Sequence, residues 1–182
     1  MSLYTAALSD LAGVFERLDA GQVDAALDSL AAARRIAFYG CGREGLQLRG
    51  FCMRLHHLGR EVCMAGDMAA FPVGPGDLLF ASAGPGHLST VSALLGVATA
   101  AGAHTLLVTA EPDGATSRMA AQLLVLPAQT MARDRGAATS VLPMGSVFEG
   151  ALFILFEAML LRLRERFGVT AEAMRARHTN LE

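Results

Sequence analysis

Three segments of this 182-residue sequence put chemically useful groups beside glycines or at a helix start. The first, Gly40-Cys-Gly-Arg-Glu-Gly45, is a GxGxxG placed at a strand-to-helix turn. Gly40 and Gly42 let the backbone approach a ligand closely, and the helix that follows offers free N–H groups to an anion. A dinucleotide site also wants an acid about 20 residues on, and Asp67 sits near that distance. Two helices precede the first strand, however, which counts against that reading; the glycines otherwise serve only the turn and helix packing. The second segment, Ser82-Ala-Gly-Pro-Gly-His87, leads into Ser89 and Thr90. Hydroxyls and amides there suit phosphate oxygens, and the alternative makes Ser89 and Thr90 ordinary N-cap residues. The third, Leu142-Pro-Met-Gly-Ser-Val-Phe-Glu149, sets a carboxylate in the first turns of a strongly apolar helix. Glu149 either compensates the helix dipole or, with apolar surroundings raising its pKa, works as a general base. His178, in a polar C-terminal tail, reads on its own as a solvated residue.

Composition removes several chemistries. All fifteen basic residues are arginine. Schiff-base aldolases, pyridoxal-phosphate enzymes and P-loop phosphotransferases depend on a lysine amine and are excluded. An anionic ligand is left to arginine, hydroxyls and backbone N–H groups. A net charge of −2, no basic run, two Tyr and no Trp argue against nucleic acid as a partner. Cys41, Cys52 and Cys63 have no CxxC spacing and read as reduced, largely buried thiols. No His/Cys cluster suggests a metal. His56 and His57 close a helix beside Gly59, and His104 opens a strand as a structural residue.

Positioning these groups takes an α/β framework. Short apolar runs alternate with helical patterns, the signature of βαβ units and a parallel sheet. Helices are predicted over Leu3 to Leu18 and Val23 to Ala32, and strands over Arg35 to Tyr39, Glu61 to Met64, Asp77 to Ser82, His104 to Thr109 and Leu123 to Leu126. Further helices run to about His57, from Leu88 to Ala101 and from Met144 to Arg166, with a short one after Thr170. A polar stretch, 128–139, precedes the long helix. The expectation is one domain over 1–182, with N-terminal helices in 1–33, a five-stranded parallel doubly wound sheet in 34–127 and C-terminal helices and tail in 140–182. Ligands then bind at the carboxyl ends of the strands, where both glycine loops fall. The apolar run Gly150 to Leu161 is broken by Glu157 and too short for a span of about 20 residues, and the N-terminus lacks a signal peptide's basic start; a cytoplasmic protein with no membrane partner is expected. The long helix is apolar on nearly every side, which points to a homo-oligomer.

Together the segments resemble the sugar-isomerase (SIS) domain family, and within it the 6-phospho-3-hexuloisomerases. The match rests on Gly40-Cys-Gly-Arg43, Met53-Arg-Leu-His-His-Leu-Gly59, Gly76-Asp-Leu-Leu79, Pro143-Met-Gly-Ser-Val-Phe-Glu149 and Arg177-His-Thr-Asn-Leu-Glu182, in the family's order and spacing over almost the whole chain. The resemblance implies a flavodoxin-like strand order and interconversion of 3-hexulose 6-phosphate with fructose 6-phosphate, through an enediolate and without metal or organic cofactor. It implies Glu149 as the base, His178 as a group assisting ring opening or proton shuttling, Arg43 on phosphate or substrate oxygens, and a dimer or tetramer in which the tail completes a neighbour's site.

Two departures from the family's pattern fall on the phosphate clamp. Where the family reads Gly-x-Gly-Arg-Ser-Gly, the serine is Glu44 here; where it reads Ser-Gly-Ser-Gly-Glu-Thr, this chain has Ser82-Ala-Gly-Pro-Gly-His-Leu88, one residue longer. Two hydroxyls expected on the phosphate are gone. Glu44 beside a phosphate dianion is expected to repel it by a kcal/mol or more at ~4 Å, with protonated His87 compensating in part. The ligand set expected from the sequence is thus Gly40, Gly42, Arg43, Glu44, Ser82, Gly86, His87, Ser89 and Thr90 around a small sugar phosphate. A non-catalytic sugar-phosphate-binding protein is the alternative to an isomerase.

Overall fold

Alternation along the strands sorts side chains onto two unlike faces. The computed structural model describes residues 1–134 and 140–181. In β1 (Ile36–Gly40), Ile36 and Phe38 enter one core while Ala37 and Tyr39 face another. β3 (Leu78–Ser82) repeats this, with Leu78 and Phe80 opposite Leu79 and Ala81. With β2 (Val62–Met64), β4 (His104–Thr109) and β5 (Gln122–Val125) they form a parallel sheet in the order β2-β1-β3-β4-β5. The expected doubly wound α/β fold is present.

The face with the larger side chains carries α1 (Leu3–Phe15), α2 (Ala20–Ala32), α3 (Gly42–His57), α5 (Ser146–Arg166) and the short α6 (Ala171–Ala176). Its centre is aromatic: Phe51 of α3 stacks on Phe156 of α5 with centroids 4.6 Å apart, and both meet Phe80. The small-residue face is covered by α4 (Ser89–Ala100) and by Phe71 and Val73 from the β2–β3 connection. Because α3 and α4 leave the sheet on opposite faces, the ends of β1 and β3 form the switch point, where Gly40 pairs in register with Ser82.

Local chemistry sets the helix limits. Asp19 caps α2 by accepting from Gly21 N–H (2.8 Å), so the helix starts three residues before the predicted Val23. α1 closes at Phe15, short of the predicted Leu18, in tight turns from Arg17 and Leu18 N–H. Gly59, at φ 87°, ends α3: its N–H reaches the His56 carbonyl and Arg60 N–H the Leu55 carbonyl, a Schellman close. α5 starts at Ser146 rather than Met144, because Met144 (φ 54°) and Gly145 (φ 79°) are left-handed. Of the thiols expected to be largely buried, Cys52 is, and burial pushes it up to about 12; Cys41 and Cys63 are half-buried. No described helix is long and apolar enough to cross a membrane. Residues 135–139 of the polar stretch, and Glu182 of the closing motif, lie outside the described residues.

At the other end of the sheet Asp77 ties β1 to β3. Its buried carboxylate accepts from Arg34 Nε (3.0 Å) and Nη2 (3.0 Å), from Arg35 Nη2 (2.8 Å) and from Gly74 N–H (3.0 Å). The Arg35 hydrogen bond above all holds this carboxyl well below the usual carboxylate range. A carboxyl whose pKa is lowered by folding adds stability above its unfolded pKa, near 4, and loses it as pH falls further. Asp77→Asn is therefore expected to cost about 1–3 kcal/mol at pH 7, less than a fully desolvated pair because Arg34 is mostly exposed. Urea unfolding should show that difference shrinking below pH ~4; a gap that stays constant down to pH ~2.5 would show that the pair does not act through its charge.

Candidate active site

Two glycines bring β1 and α3 almost into contact. A Cβ on Gly45 would stand 2.4 Å from the Gly40 carbonyl oxygen, and one on Gly40 2.6 Å from Leu48 Cδ1. Both glycines therefore serve close packing, while Gly42 takes the left-handed backbone that starts α3. That geometry aims Glu44, in the first turn of α3, across the switch point toward β3. Its carboxylate accepts from Ser82 Oγ and from Gly84 N–H, at 3.2 Å to Oε1 and 3.0 Å to Oε2. Gly84 has no room for a side chain: a Cβ would lie 2.8 Å from Phe148 Cε1 and 3.0 Å from Glu44 Oε1. Glu44 is 8% exposed. Burial raises its pKa, against the two hydrogen bonds, and the charge of Glu149 raises it further.

Glu149 lies one turn into α5, as the sequence placed it, on the wall of a cavity of about 370 Å³. Cys41, Gly42, Arg43, Glu44, Thr130 and Met144 are among its other lining residues. Arg43 donates from Nη1 to Ser146 Oγ (2.7 Å) and from Nη2 to the Met144 carbonyl, and Nη2 stands 3.3 Å from Glu149 Oε1. The guanidinium thus holds the start of α5 and one oxygen of the carboxylate. Glu149 Oε2 is buried with no hydrogen-bond partner among the described residues. Burial raises the Glu149 pKa and Arg43 opposes it. A desolvated carboxylate with one free oxygen, fixed in a ligand-sized cavity, is suited to taking a proton from carbon.

The remaining expected ligands are dispersed. Gly86 is a packing residue: at φ 76° its Cβ position is 2.5 Å from Glu111 Cβ, and its carbonyl accepts from Thr116 N–H at 3.0 Å. Thr90 Oγ1 is 3.1 Å from Cys41 Sγ, at the cavity rim. Ser89 and Thr90 are not N-caps, since Leu88 holds that position; they and His87 are exposed. Asp67 pairs with Arg49 at 3.6 Å, outside the cavity. His178 stands at the far end of α3: its ring centroid is 5.0 Å from that of His57, the last residue of that helix. Thirteen residues of α-helix separate that end from Glu44, about 20 Å, so one protomer does not bring His178 to Glu149. Thr130, which lines the cavity with a buried hydroxyl, was not singled out from the sequence. Its signal was available: it is a hydroxyl residue in the segment that leaves the carboxyl end of β5, as Ser82 closes the carboxyl end of β3. Among the described residues no three His, Cys, Asp or Glu side chains group closely enough to hold a metal ion.

Fold and cavity define a doubly wound α/β domain with a cavity at the switch point. No family model matches the chain. The 3-hexulose-6-phosphate isomerase of Mycobacterium gastri is 34% identical over 173 residues, 95% of this chain and 86% of that protein. A Methanococcus jannaschii protein, whose crystal structure infers a molecular function of 3-hexulose-6-phosphate isomerase, aligns with a TM-score of 0.85 at 23% identity over 98% of each chain. The NanR protein of Vibrio vulnificus, complexed with ManNAc-6P, aligns at 0.76 and 18% identity over 96% of this chain and 65% of that one. The chain belongs to the SIS-domain phosphosugar isomerase family, among relatives of the 3-hexulose-6-phosphate isomerase type.

Glu44 gives the site a measurable pH signature. A carboxyl whose pKa is raised by folding contributes fully below its unfolded pKa, near 4, and progressively less as pH rises through its folded value. Glu44→Gln, which cannot ionise, is expected to gain stability relative to wild type between about pH 4 and 8. Parallel urea midpoints across that range would refute the assignment.

Proposed function

We propose that this protein interconverts 3-hexulose 6-phosphate and fructose 6-phosphate, with Glu149 as the base. The observation that carries this reading is the Glu149 carboxylate of the cavity wall, raised in pKa, held at Oε1 by Arg43 and without a partner at Oε2 among the described residues. Glu149 Oε2 takes the proton from the carbinol carbon next to the ketone, and an enediolate forms. The same oxygen returns the proton to the former carbonyl carbon, and a hydroxyl proton crosses between the two oxygens. Holding base and substrate at contact distance supplies part of the acceleration such a step requires. The similarity to a 3-hexulose-6-phosphate isomerase over most of both chains supports this substrate.

His178 acts in the site of a second copy of this chain. Its place at the end of α3 remote from the cavity supports this reading, as do the exposed apolar side chains of Leu46 and Met53 on α3 and of Phe153, Ile154 and Leu161 on α5. Glu149→Gln is expected to lower kcat for fructose 6-phosphate by about 10²–10⁴. His178→Ala should also be impaired, and mixed unfolded and refolded pools of the two variants should regain activity through sites that carry both native residues. Pools no more active than their parents would rule out a shared site.

Glu44 favours a second reading, a binding protein without turnover or one with a different anionic ligand, because it already occupies the Ser82 and Gly84 donors. Replacing it by the smaller neutral hydroxyl, Glu44→Ser, is expected to lower the KM for fructose 6-phosphate severalfold, as a carboxylate–phosphate repulsion of about 1 kcal/mol implies. Wild-type protein that binds fructose 6-phosphate in calorimetry yet never isomerises it would establish the second reading.

A further inference from the structure

We infer that Thr130 is a catalytic residue of this site, whose hydroxyl donates to the substrate oxygen that becomes negative when Glu149 removes the carbon-bound proton. Thr130 is 3% exposed, and its Oγ1 is buried with no hydrogen-bond partner among the described residues. Buried hydroxyls are nearly always paired, and an orphan one destabilises the free protein. Local structure makes the missing bond more telling. Thr130 has extended backbone (φ −108°, ψ 168°) at the N-cap of the single 3₁₀ turn Met131–Arg133, where a threonine hydroxyl ordinarily accepts from the turn. Here it makes no cap bond.

Its backbone is locked against the helix that carries Glu149. A Cβ on Gly145, the N-cap of α5, would lie 3.4 Å from Thr130 Cα and 2.8 Å from Met131 N. Thr130 and Glu149 line the same cavity, and among the described residues lining it they hold the buried side-chain polar atoms without partners, Oγ1 and Oε2. One is a proton acceptor and the other a neutral donor.

Other groups around the cavity are committed elsewhere. Arg43 is held by Ser146, Met144 and Glu149. Ser82 Oγ donates to Glu44, and Thr90 Oγ1 faces Cys41 Sγ. An enediolate needs a donor aimed where charge develops. As Glu149 takes the proton, the C–H electron pair becomes the new C=C bond and the carbonyl π pair moves onto its oxygen. Thr130 stabilises that oxygen by a hydrogen bond and keeps its own proton. Protonation of the former carbonyl carbon by Glu149, with a hydroxyl proton passing between the two oxygens, completes the turnover.

This assignment rests on the isomerase reading, and the test separates the two. Thr130→Val, Thr130→Ser and Glu149→Gln are compared in the full chain by fructose 6-phosphate isomerisation, fructose 6-phosphate binding and thermal unfolding. Thr130→Val should lose about 10²-fold in kcat, with binding changed far less. Its Tm should equal or exceed that of wild type, because the orphan hydroxyl is gone. Thr130→Ser should recover activity to within a few fold. Wild-type kcat in Thr130→Val overturns the assignment while active wild type and inactive Glu149→Gln leave the isomerase reading intact. A Tm that falls in both Thr130 variants in step with activity overturns it as well, in favour of a structural role. Wild type that neither binds nor isomerises fructose 6-phosphate overturns both readings.

Discussion

A carboxylate bridges the two loops on which the site is built. Glu44 leaves the first turn of α3 and ends on Ser82 Oγ and Gly84 N–H, so the β1–α3 turn and the β3–α4 loop are joined through one buried acid. Everything nearby is arranged to admit it. Gly40 and Gly45 let α3 start close enough to β1, and Gly84 leaves the space that Phe148 and the Glu44 carboxylate share. The constraint reaches α5 through Phe148, which fixes the helical turn carrying Glu149. Two acids then line one cavity, and the charge of Glu149 discourages ionisation of Glu44.

The fold was legible because its signals are local. Strand alternation, the two glycine loops and the apolar C-terminal helix each follow from short-range chemistry, and each was read within a few residues. Boundaries slipped where a cap or left-handed residue decided them, as at Asp19 and at the Met144–Gly145 pair. The site was legible only where a residue type implied its own environment. Glu149 in an apolar run could be read as desolvated, and it is. The direction of Glu44 could not, because it depends on a missing side chain at Gly84, forty positions away. Expected beside the ligand, Glu44 lines the cavity and also satisfies donors that an anion would otherwise use. Thr130 was hidden for a related reason: a threonine in a polar segment is ordinary until its hydroxyl is found buried and unpaired.

The two faces of the sheet divide the labour. The small-residue face is covered by a single helix and the Phe71 segment, while the other is stacked with α1, α2, α3, α5 and α6. α5 nevertheless exposes Phe153 at 59% and Leu161 at 54%, although its opposite side is already deep in the aromatic core. Such exposed apolar surface is what the proposed association of copies would cover.

That surplus and the position of His178 bear on the same question. α3 runs from the cavity to the opposite edge of the domain, and the tail is anchored there: Arg177 Nη1 donates to the His57 carbonyl at 3.1 Å, and the His178 ring lies over His57. Bringing His178 to Glu149 within one protomer would require releasing that anchor and moving the tail along the whole of α3. Bringing it to the Glu149 of a second copy requires only that apolar surface on α3 and α5 be covered by a copy turned end for end. A two-fold operator does this, since it carries each copy's tail end toward the other's cavity and buries like against like. The proposed site shared between copies would account for both the apolar excess of α5 and the remoteness of the tail.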